Sequence, residues 1–150
     1  MDIRSTDTLP LPDVPVTVLL VSGQPADRRS LQQILARSCW KLQVSATCAE
    51  GLALLRQKRV PVVICDAGQS DTDWRLLLNG MSDLPSRSAL IVSSRLADER
   101  LWAEVLNLGG YDVLSTPFDR REVLRACFLA WQNWERSTPA SYSISAGCSL

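Results

Sequence analysis

The chain has 150 residues, 16 basic and 16 acidic side chains, a formal charge of zero and no histidine. That length builds one domain with a real core and leaves little room for a second. The balanced charge gives no long-range field to hold nucleic acid or an anionic membrane, and the lack of histidine removes the commonest general base and zinc ligand together.

Residues 1–15, rich in Pro, Thr and Asp, read as a loose N-terminal arm without an apolar signal core. Thr17 to Val21 is an apolar, β-branched first strand, broken by Ser22, Gly23, Gln24 and Pro25. Pro25 suits the first turn of the next helix, where its missing N–H costs nothing, and Leu31, Ile34 and Leu35 give that helix its buried stripe. Lys41 to Ala46 alternates as a half-covered edge strand. Thr47 and Glu50 then form a capping box for a helix that buries Leu52, Leu55 and one candidate more, Cys48.

Val60 to Cys65 is the most continuous apolar run, which places it at the centre of a parallel sheet. Asp73 to Met81 is a short helix on Leu76, Leu77 and Met81, and Ala89 to Ser93 is a fourth strand. Asp98 to Leu108 repeats Leu101, Val105 and Leu108 at helical spacing before Gly109 and Gly110 stop it. Asp112 to Leu114 is a fifth strand; Asp119 and Glu122 cap a last helix with Leu124, Phe128 and Trp131 on its face. Five βα units predict an α/β fold, a doubly wound parallel sheet with helices on both faces, over residues 16–136. Residues 137–150 read as a Ser-rich tail.

Cys39, Cys48, Cys65, Cys127 and Cys148 show no CxxC spacing, so they read as reduced thiols of a cytoplasmic protein. No run approaches the roughly 18 apolar residues of a membrane span, and no membrane or nucleic-acid partner is expected.

In such a sheet the strand carboxyl ends share one crevice. It receives Ser22 and Gly23 after strand one, Asp66 after strand three, Ser93 and Ser94 after strand four, and Thr116 after strand five. A lone aspartate there is either a loop starter or the centre of a site; four polar strand ends converging on it favour the site. No acyl-transfer triad, GxGxxG turn or Walker lysine accompanies it, so no enzymatic activity of its own is expected.

The block Val62, Val63, Ile64, Cys65, Asp66, the turn Gly109, Gly110, Tyr111, Asp112, and Leu114 to Asp119 together resemble the receiver domain of bacterial two-component response regulators. The resemblance covers residues 16–134 and implies a sheet of strand order 2-1-3-4-5. It implies that Asp66 is the position that accepts a phosphoryl group from a histidine kinase. It matches Ser94, 28 residues after Asp66 and 22 before Thr116, to the hydroxyl that couples phosphorylation to loop movement, with Ser93 as the alternative.

The departures are chemical. The acidic pair that holds Mg²⁺ in the family falls on Ser22 and Gly23, and the family's lysine falls on Thr116. Tight Mg²⁺ binding is therefore not expected, only a weak association, and no other cofactor or metal is implied. The aromatic switch position falls on Val113, with Tyr111 two residues earlier. Arg95, Glu99 and Arg100 read as a solvated rim near the crevice, with the lesser alternative that Arg95, next to Ser94, reaches over it and replaces part of the missing positive charge.

The expectation is a stand-alone, atypical receiver that signals through protein contacts, with phosphorylation at Asp66 impaired or lost. The alternative is a phosphoaccepting regulator that tolerates the altered pocket. Partners are expected to be a histidine kinase, an effector, or a second copy, docked through the fourth helix, fifth strand and fifth helix. Trp102 and Leu106, an i,i+4 pair, and Trp134 are the candidate contact residues, against the plainer reading that a broad helix face buries them.

Overall fold

The computed structural model describes residues 15–68, 73–84 and 87–137; the arm through residue 14 and the tail from residue 138 lie outside them. The elements alternate as β1 (Val16–Val21), α1 (Pro25–Leu35), β2 (Trp40–Ser45), α2 (Cys48–Gln57), β3 (Val62–Asp66), α3 (Trp74–Met81), β4 (Ala89–Ser94), α4 (Glu99–Asn107), β5 (Asp112–Ser115) and α5 (Arg120–Ser137). Among the described residues the strands form one sheet in the order β2-β1-β3-β4-β5, and every pairing is parallel. Both the fold class and the expected strand order are therefore observed. The third strand starts two residues later than its apolar run because Pro61 has no N–H for the ladder. It extends through Asp66, which pairs in register with Ser93.

Successive side chains on a strand face opposite sides, and the sheet accordingly separates two cores. Val18, Leu20, Val62, Ile64, Ile91 and Leu114 pack under α1 and α5. Leu19, Val21, Val63, Cys65, Leu90 and Val92 pack under α2, α3 and α4. Each residue of β3 is buried, as a strand covered on both faces requires.

The helix faces differ from the predicted ones in detail. On α5 the seam against the sheet is Val123, Ala126, Cys127, Ala130 and Trp134. The larger Leu124, Phe128 and Trp131 flank it, half-buried, with Trp131 edge-on to Trp40 at 6.4 Å. Small residues at the seam let the helix axis approach the strands, and the wide side chains then spread to either side. Leu76 and Leu108, both expected inside, are 63% and 54% exposed.

Side chains cap the helices where the spacing predicts. Thr47 Oγ1 accepts from Glu50 N–H at 3.2 Å, while Glu50 Oε1 accepts from Ala46 N–H at 3.0 Å, one residue before the cap. Asp119 Oδ2 accepts from Glu122 N–H at 3.0 Å. Beyond α4, Gly109 adopts φ +106°, Gly109 N–H donates to Leu106 C=O and Gly110 N–H to Val105 C=O, which is a Schellman stop. A Cβ on Gly110 would lie 2.4 Å from Val105 Cγ1 and 3.0 Å from the Val105 carbonyl oxygen. Gly110→Ala is therefore expected to destabilise the fold by about 1–3 kcal/mol, read as a lower urea midpoint with an unchanged slope.

Candidate functional site

β3 ends in Asp66 because its ladder continues through that residue: Ala67 N–H donates to Ser93 C=O at 2.8 Å. Asp66 is 6% exposed, and its Oδ1 accepts from Gly68 N–H at 3.0 Å, which turns the chain away from the sheet. At the neighbouring strand end Ser22 is fully buried; its N–H donates to Ser45 C=O and its Oγ accepts from Gln24 N–H at 3.1 Å. That hydroxyl is thus spent on opening the turn into α1. Gly23 beside it is half-buried.

On the other side of β3, Ser93 is level with Asp66 and shares the face of Ile91 and Leu114. It is fully buried, and its Oγ has no hydrogen-bond partner. Ser94 is level with Ser115, its Oγ accepts from Leu96 N–H at 3.1 Å, and its carbonyl accepts from Thr116 N–H at 3.0 Å. Strand alternation therefore puts Ser93 on the side of Asp66, while the Ser94 hydroxyl shapes the loop that follows β4. Thr116 is half-buried at the end of β5, with a cis peptide to Pro117.

Two charged groups join this crevice from places the residue order does not advertise. Asp27, in the first turn of α1, has its carboxyl held above the usual range, first by burial and then by the negative charge of Asp66; the Arg95 guanidinium pulls the other way. Asp27 was not among the expected site residues. In the sequence it reads as an acid that favours a helix N-terminus, and only the packing of α1 beside β3 brings it to Asp66. Arg95 is where the sequence places it, on the exposed loop after Ser94.

A carboxyl whose folded pKa lies above its unfolded one favours the folded state fully below the unfolded value, 3.8, and loses that contribution as pH rises through the folded value. Asp27→Asn removes the titration. The stability of Asp27→Asn relative to the native chain is expected to rise as pH is raised from below 3.8 toward neutrality, checked by urea midpoints along that pH series.

Comparison with known proteins bears on this geometry. No family model matches the chain, and no curated protein matches it. Solved structures do. A signal receiver domain of an HD domain-containing protein from Pseudomonas fluorescens is 27% identical with TM-score 0.73, over 86% of this chain and 96% of that one. A CheY-like response regulator receiver domain protein from Methanospirillum hungatei is 22% identical with TM-score 0.70, over 81% and 97%. A signal receiver domain from Vibrio parahaemolyticus is 14% identical with TM-score 0.74, over 81% and 94%. The fold is that of a response-regulator receiver domain.

The receiver resemblance implies a Mg²⁺ ion beside Asp66, and Ser22 and Gly23 bring no carboxylate to that place. A tight Mg²⁺ site needs several oxygen donors around the ion with carboxylates supplying charge. Among the described residues no group of three or more His, Cys, Asp or Glu could hold a metal. The Ser22 hydroxyl is committed to Gln24, and Gly23 has no side chain.

On the flank formed by α4, β5 and α5, Trp102 is 50% exposed and Leu129 40% exposed. They border a shallow groove of about 400 Å³ that also takes in Asp98, Glu122 and Arg125. Leu106 is half-buried. Trp134 corrects the expectation that it is a contact residue: it is 5% exposed, with the Arg59 guanidinium 5.7 Å from its ring centroid. Three residues beyond Trp131 on α5, it joins the buried side of the helix and not its flank.

Proposed function

We propose that this receiver-like chain works in intracellular signal transduction through protein contact, with phosphorylation at Asp66 impaired or lost. The observation that carries this reading is the crevice itself. Asp66 has the place of an acceptor, at the buried carboxyl end of the central strand, while Ser22, Gly23 and Thr116 occupy the positions where the family's acids and lysine would be. Charge that would bind a metal and neutralise phosphoryl oxygens is missing, while the frame that transmits a conformational state is kept. The likeness to receiver domains supports a signalling role rather than catalysis.

The contact surface in this reading is the groove between α4, β5 and α5. Trp102 supplies a large apolar anchor at its rim, with Glu122 and Arg125 as charged borders, the mixture favoured in protein interfaces. Its occupant is a kinase, an effector or a second copy of the chain. Docking of either kind needs no phosphoryl group if the chain holds one conformation.

A second reading has its own support. Asp27 contributes a carboxylate and Arg95 a cation to the surroundings of Asp66, so a phosphoaccepting regulator in a phosphorelay could draw on both. Addition of Mg²⁺ and beryllofluoride separates the two. No fluorine resonance of a bound adduct is expected in ¹⁹F NMR; a stoichiometric adduct lost in Asp66→Asn would overturn the first reading in favour of the second.

A further inference from the structure

At the end of the sheet opposite Asp66, where β4 begins at Ala89, an open groove of about 840 Å³ is bordered by α3, the turn after α4 and the last turns of α5. Its apolar lining comes from Leu76, Leu78, Met81, Leu108, Tyr111 and Trp134. Leu76 and Leu108 carry that lining into solvent, at 63% and 54% exposure. They come from different elements, so one concave surface gathers apolar groups that no single helix face accounts for. Asn79 and Asn133 add side-chain amides, able both to donate to and to accept from a peptide backbone.

The chain beyond α5 starts at the wall of this groove. Ser137, the last residue of α5, lines it, and residues 138–150 continue from there. Within them Ser141, Ser143 and Ser145 alternate with Tyr142, Ile144 and Ala146. On an extended backbone that period places the apolar side chains on one side and the hydroxyls on the other. Residues 138–150 contain no Asp, Glu, Lys or Arg, so the segment can lie against leucines without burying a charge.

We propose that residues 138–150 dock into this groove of their own chain, with Ser141 to Ala146 extended along it, Tyr142 and Ile144 against Leu76 and Leu108, and the serines toward solvent.

Reach and tethering both favour this occupant. Tyr142 is five residues beyond Ser137, which in extended chain spans up to about 17 Å, enough to cross a groove of 840 Å³. Because the segment is attached at the groove's edge, its local concentration is high and few apolar contacts suffice to hold it. Docking removes the exposed leucines from water, which a charged or strongly polar segment could not do. The proposal is independent of whether Asp66 accepts a phosphoryl group, since the groove lies at the other end of the strands.

The test uses the full-length chain carrying Cys39→Ser, with a nitroxide attached to Cys148 under native conditions, where Cys48, Cys65 and Cys127 are buried. Backbone amide resonances are compared before and after the nitroxide is reduced with ascorbate. The expected result is selective broadening at Leu76, Leu108 and Gly110, little effect at Val21 and Asp66, and loss of the broadening in Tyr142→Ser/Ile144→Ser. Weak broadening spread over the whole chain, or broadening centred on Trp102 and Leu129, would overturn the proposal. Broadening that persists in Tyr142→Ser/Ile144→Ser would do the same. So would broadening of a ¹⁵N-labelled chain by a nitroxide on a separate copy, because the groove would then hold a second chain's segment.

Discussion

Incubated with acetyl phosphate and Mg²⁺, the chain is expected to gain a phosphoryl group at Asp66 at least about a thousandfold more slowly than a receiver with its full acidic pocket and lysine. Phosphoryl transfer is almost entirely positioning and charge neutralisation: cations must meet the equatorial oxygens as negative charge spreads over them. Loss of one such group typically costs a few kcal/mol, and each 1.36 kcal/mol is about a factor of ten, so two missing groups exceed a thousandfold even when they overlap. Arg95 offsets part of this, yet it sits on the exposed loop after β4 and its charge already acts on Asp27. Intact-mass spectrometry over time reads the outcome, with Asp66→Asn as the blank. Restoring Ser22→Asp, Gly23→Asp and Thr116→Lys together is expected to recover most of the rate. Thr116→Lys alone is expected to recover little, because a single cation among Asp27 and Asp66 is consumed by their charges. Stoichiometric labelling of the native chain on the timescale of the restored one would refute this account of the pocket.

What could be read in the residue order follows from how each feature is encoded. A parallel sheet writes itself along the chain: β3 is an unbroken apolar run because both its faces are covered, whereas on the edge strand β2 Leu42 and Val44 alternate with polar residues in sequence, although Val44 is itself 37% exposed. Position Asp66 is legible for the same reason, since the run passes straight into polar loop. That Ser22, Gly23 and Thr116 bring no charge to the strand ends is legible as well, because the strand ends themselves are. Asp27 is of another kind. Its nearness to Asp66 depends on how the start of α1 lies against the strand ends, and no local pattern carries that information.

The two tryptophans named as candidate contact residues should separate cleanly. Trp134→Ala is expected to destabilise the fold by about 3–5 kcal/mol, the usual cost of emptying a buried aromatic site, which is a large part of a total stability of about 5–15 kcal/mol. The residue is 5% exposed, closes the α5 seam after Ala130, and carries the Arg59 guanidinium on its ring. Trp102→Ala, at 50% exposure, is expected to stay within about 0.5 kcal/mol of the native chain in urea unfolding. The contrast also isolates function, because Trp102 lies on the groove of α4, β5 and α5 whereas Trp134 faces the other end of α5. A chain that keeps its urea midpoint but loses a partner, or its own dimer, on Trp102→Ala has lost a contact and not a fold. A large fall in midpoint for Trp102→Ala would instead mean that α4 relies on that ring for its packing, and the groove would then have no apolar anchor to offer a partner.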